Sequence, residues 1–138
     1  MIIRLFVVSF LISFLSFSQE NETVAFSLVE SVPVYPGCYA VKKEERRLCF
    51  QRNIQAHIGK NFRYPSLAQQ KNIQGTVFVQ FTVGKDGTVK GIRTRGPHPV
   101  LEKEAARIIS LLPRMRPGRV DGRKVNVHFS IPVGFKLQ

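Results

Sequence analysis

Residues 76–83 alternate without a break: Val77, Val79, Phe81 and Val83 fall on one side of an extended chain, and Thr76, Phe78, Gln80 and Thr82 on the other. A period of two spreads apolar side chains all round a helix, so this stretch is a strand with one face in a core. Residues 124–135 repeat the pattern. Val125, Val127, Phe129, Ile131, Val133 and Phe135 share a face, opposite Asn126, His128 and Ser130. Pro132 lacks an N–H and belongs at an edge or near a strand end. Gly84-Lys85-Asp86-Gly87 is a hairpin turn leading into a return strand at 88–95. That strand carries Lys90, Arg93 and Arg95, the charge pattern of a sheet edge.

The period changes between these strands. Leu101, Ala105, Ile108 and Leu112 form a helical stripe over 99–112, with Glu102 and Glu104 in the first turn, Pro113 as the stop and Arg114 beyond. Phe50, Ile54 and Ile58 give a second stripe over 43–58, begun by Glu44 and Glu45 and ended by Gly59. Pro65 opens a short third helix with Leu67 and Ala68 inward, and residues 72–75 turn out of it. The fold class is α+β, with two to three helices packed on a three-stranded antiparallel-type sheet. Strand 76–83 is central, and strands 88–95 and 124–135 are the two edges, parallel to each other.

The first residues read differently. A basic start at residues 1–4 precedes a 13-residue apolar run at 5–17, then small serines and the polar Gln19-Glu20-Asn21. This is the layout of a secretory signal peptide, residues 1–18, cleaved after Ser18 and marking the chain for export. An uncleaved membrane anchor is the alternative, although a spanning helix needs about 20 apolar residues. An extended lead-in covers 19–42, where two prolines and Gly37 break any period, and the domain proper covers 43–138. Cys38 and Cys49, with ten residues between them, suit a disulfide in an exported chain. Two free thiols, or half of a metal site, are the alternatives.

The formal net charge of the 138-residue chain is +12, from 21 Lys and Arg against 9 Asp and Glu. So basic a surface attracts anionic partners, an anionic envelope surface among them. Nucleic acid is not the expected partner: only Phe78 offers a stacking aromatic on the polar face of its strand, and the export signal points elsewhere. His57, His98 and His128 lie on three different elements with no metal spacing. No catalytic motif is present, and Asp86-Gly87 lacks the following acids of a calcium loop. The chain is not expected to be an enzyme or to hold a metal or cofactor.

What remains is the last strand, uncharged from 125 to 130 and placed at an edge. Such an edge takes an extended peptide through backbone hydrogen bonds, unless a tail, a loop or a second copy in a homodimer covers it. The order of motifs resembles the TonB C-terminal domain family. The matching marks are Tyr64-Pro65 with Ala68, Gly75-Thr76-Val77 leading to Phe81-Thr82-Val83, Asp86-Gly87-Thr88-Val89, and Leu101 with Glu104-Ala105. Pro113 to Pro117-Gly118 and Gly122 with Val125-Asn126-Val127 complete them. The resemblance implies TonB-dependent transport, in which the last strand pairs with a short segment of an outer-membrane receptor or a related envelope protein. It assigns that role to Val125, Asn126, Val127, His128, Phe129, Ser130 and Ile131. It assigns a second contact to Asn61, Phe62 and Arg63, which depart from the family's glutamine-rich pattern. A minimal anchored transducer and a structural envelope-binding protein are the alternatives.

Overall fold

The computed structural model describes residues 22–138. Strands β2 (Gly75–Val83), β3 (Val89–Arg95) and β5 (Arg123–Phe135) form the expected three-stranded arrangement, with β2 central and antiparallel to both neighbours. The register places Val77, Val79, Phe81 and Val83 opposite Val133, Ile131, Phe129 and Val127. The two alternating stretches therefore present one continuous apolar face. Gly91, at φ +65, sits in the bulge where β3 slips past Phe81 of β2.

Helix α1 (Arg46–Asn61) continues a 3-10 turn at Lys43–Glu45, and α2 (Ser66–Gln70) and α3 (Pro99–Ser110) follow. All of them cover the apolar face. α3 packs on β2 and β3, while α1 and α2 pack against α3. The stripe Leu101, Ala105, Ile108 and Leu112 is buried as its spacing predicts, and Phe50 and Ile54 bring α1 into the same core. Phe81, Phe129 and Phe50 stack with ring centroids 5.0 and 4.8 Å apart. Such pairs add roughly 0.5–1.5 kcal/mol each beyond their area.

Three details differ from the local reading. α1 passes Gly59 and ends at Asn61, whose amide donates to the His57 carbonyl at 2.9 Å and closes the last turn. Pro65 is the cap before α2 and not its first residue. Leu67 is exposed while Ala68 is buried, because a five-residue helix turns only one side to the core.

The larger difference is at the sheet edge. The order is β1-β5-β2-β3, with β4 also paired to β5, so the expected three-stranded sheet becomes a five-stranded one. β4 (Gly118–Val120) forms a hairpin with β5 through Asp121 and Gly122, at φ 50 and 73, a turn that needs left-handed backbone at both places. β1 (Thr23–Ala25) runs parallel to β5 against Asn126, Val127 and His128. β5 is therefore not a bare edge along its first half. The lead-in folds over the core through Val29, Val32 and Val34, and a disulfide joins Cys38 to Cys49 on α1, with Cα atoms 6.1 Å apart.

Candidate functional site: the uncovered half of a strand edge

Backbone direction alternates along a strand, so every second residue turns its N–H and C=O to the same side. The Asn126 N–H donates to the Glu22 carbonyl at 3.1 Å, and the His128 carbonyl accepts from Phe26 N–H at 3.0 Å. Even-numbered residues of β5 therefore face β1, and odd-numbered ones pair with β2. By the same alternation Ser130, Pro132 and Gly134 turn outward. Among the described residues no strand pairs there, because the chain leaves the lane in a turn after Ala25. Pro132 offers a carbonyl only, while Ser130 and Gly134 each offer a donor and an acceptor.

The residues expected to dock a partner are thus divided. Val125 pairs with Gly118 of β4, and Asn126, Val127 and His128 with β1. Phe129 and Ile131 pair with Phe81 and Val79 of β2. Only Ser130 of that set keeps an outward backbone without a partner strand among the described residues. The open stretch begins where the expectation ended and runs on to Gly134.

A cavity of about 480 Å³ lies beside this stretch. Phe26 and Ser27 close one end, Ser130 and Ile131 lie along the strand, and Gln51, Ile54 and Gln55 of α1 form the wall. Phe26 is held there by Phe50 and Phe129, with centroids 5.1 and 4.8 Å away, and by Arg47 over its ring at 4.6 Å. Arg47 also donates to the carbonyls of Phe26 and Val29. Sequence reasoning missed Phe26 and the two glutamines, and only the apolar Val24-Ala25-Phe26 could have signalled a strand.

Asn61, Phe62 and Arg63 meet the far end of β5. The Phe62 ring packs on Phe135 at 5.2 Å and Tyr64 at 6.1 Å. Arg107 donates to the Asn61 carbonyl at 2.6 Å, and the Arg63 N–H donates to Glu104 at 2.9 Å. The imidazole of His57 donates Nε2–H to the Ile108 carbonyl at 2.8 Å, which leaves Nδ1 to accept from the Asn61 amide. These bonds commit Asn61 and Arg63 to holding α1 on α3. Some 17 Å of strand separates Ser130 from Phe135, so the two expected contact regions bracket the open stretch.

Among the described residues no group of three His, Cys, Asp or Glu could hold a metal, and no helix is long and apolar enough to cross a membrane. The segment expected to be the signal peptide lies outside the described residues.

Helices on one face of a mostly antiparallel sheet, with a strand edge half covered by the lead-in, define a small α+β domain. The family described as Gram-negative bacterial TonB protein C-terminal matches residues 60–137, and the chain belongs to it. Two TonB proteins of Helicobacter pylori strains are each 31% identical over 122 residues, covering 87% of this chain and 39% of theirs. The chain thus spans about two-fifths of the length of these relatives. A solution structure of the Helicobacter pylori TonB C-terminal domain is similar with a TM-score of 0.53 and 29% identity, covering 72% of this chain and 87% of that one. As a member of this family the protein is not an enzyme.

Proposed function

We propose that this domain binds an extended segment of an outer-membrane receptor, in TonB-dependent transport, by adding it as a strand to β5 at residues 130–134. The observation that carries this reading is the outward backbone of Ser130 and Gly134, beside a lane that β1 already uses. β1 supports it directly: an extended segment in that lane has the geometry to pair with β5. The α1 wall gives the incoming side chains Ile54 to pack on and the amides of Gln51 and Gln55 to bond. Each backbone hydrogen bond gained contributes about 0.5–1.5 kcal/mol net. We further read the chain as a periplasmic protein released from its signal peptide.

Synthetic peptides from the periplasmic N-terminal segments of receptors in the same genome test this. Bound peptide is expected to shift the Ser130 and Gly134 amides and protect them from exchange, and Ser130→Pro to weaken binding about tenfold. Peptide binding that leaves both amides unchanged sinks the reading. So does a concentration-dependent homodimer that protects the same amides and excludes the peptide.

A further inference from the structure

The helices and lead-in cover one face of the sheet, and no described element covers the other. Strands β1 to β5 contain no Asp or Glu at all. The pairing of β2 with β3 sets Phe78 opposite Arg95 and Gln80 opposite Arg93, so all four stand together on the uncovered face. Phe78 is 54% exposed, unusual for so large an apolar side chain. Among the described residues Arg93 and Arg95 form no ion pair, whereas Lys90 has Asp86 at 3.7 Å.

The face is concave here. A cavity of about 850 Å³ is lined by Phe78, Gln80, Arg93, Arg95 and Pro97, with Ser130 across from them. Its wall is tightly built. A Cβ on Gly75 would lie 2.6 Å from the Pro97 ring, and one on Gly96 would lie 2.8 Å from Val77. Glycine at both places lets the 96–97 segment press onto β2 and hold Pro97 in position.

These features narrow the occupant. Unpaired guanidiniums on an acid-free sheet select an anion, and their planar forks suit a carboxylate. β2 is paired on both sides, so a peptide lying across it gains no backbone bonds and loses its main source of affinity. A concave floor fits a compact ring better than a lipid surface. An exposed phenyl ring beside a proline offers an apolar platform, and Gln80, Thr76 and Ser130 offer partners for hydroxyls.

We propose that the outer face of the sheet is a second binding site, for an anionic saccharide whose ring lies on Phe78 and whose carboxylates pair with Arg93 and Arg95. The site meets the β5 edge at Ser130, which lines both cavities, and does not depend on strand addition there.

Titration calorimetry of the full chain with tetragalacturonate, and with uncharged maltotetraose, tests the proposal. The acidic oligomer is expected to bind and to shift the amides of residues 76–80 and 93–97, while the neutral one does not. R93Q/R95Q is expected to lower its affinity about tenfold or more, and F78A severalfold. These side chains are exposed, so the variants keep the wild-type melting curve, which circular dichroism checks. The proposal is overturned by failure of the acidic oligomer to bind, by undiminished binding to R93Q/R95Q, or by equal binding of a glutamate hexapeptide. Binding to phosphatidylglycerol vesicles without binding to the oligomer also overturns it, in favour of a lipid surface.

Discussion

Glu104 is, among the described residues, the one buried charged side chain, 7% exposed. It accepts from Arg107 and from the Arg63 N–H, so one carboxylate ties α3 to the segment that follows α1. Glu104→Ala removes both bonds and orphans the Arg63 N–H, which predicts a loss of about 1–3 kcal/mol in urea unfolding. Asp86 is held below the usual carboxylate range, first by the Thr88 N–H at 3.1 Å and then by the Thr88 hydroxyl at 2.8 Å, with Lys90 adding to these. A depressed folded pKa means the unfolded chain takes up protons first. The contribution of Asp86 is therefore whole above the unfolded carboxylate value of about 3.9 and disappears as pH falls through the lower folded value. An NMR titration should show Asp86 protonating below the ordinary carboxylate range, with Asp86→Asn removing that part of the acid sensitivity. A carboxyl titrating at the ordinary value would contradict it.

At the level of elements, what was legible depended on length. β2 and β5 alternate for long enough that their faces, partners and core side chains follow from sequence. β1 and β4 are three residues each, too short for any period to rise above chance, and they exist because β5 offers them backbone partners. That is why the edge reads as bare in the sequence and is half covered in the fold. The placing of Glu104 was legible in principle, since it stands at i+3 from Leu101 on the apolar stripe, whereas its partners on other elements were not. The exposure of Leu67 was not legible either, because α2 is too short to carry a stripe. β1 is held by few bonds, and the Cys38–Cys49 link anchors the segment behind it. Reduction, or Cys38→Ser with Cys49→Ser, should cost about 3 kcal/mol in the chain-entropy account. Hydrogen exchange should then speed up at Phe26 and Asn126 while the amides of Val79 and Ile131 stay slow. Equal acceleration across β2 would show instead that the lead-in and the β5-β2-β3 core unfold together.

For the whole molecule, the surplus of 21 basic residues over 9 acidic ones acts at a distance. Association with any carboxylate-rich partner should slow by about tenfold between roughly 0.05 and 0.5 M salt, because the Debye length shrinks below the size of the charged faces. Stopped-flow rates that ignore salt would mean the charges play no part in encounter. The parallel course of β1 beside β5 has another result. Tension drawn through residue 22 at one end and residue 138 at the other drags these neighbours past each other along their length, loading every rung between them together. The pair therefore resists as a lap joint does, not as a zip, and the covalent loop between Cys38 and Cys49 cannot lengthen once the joint slips.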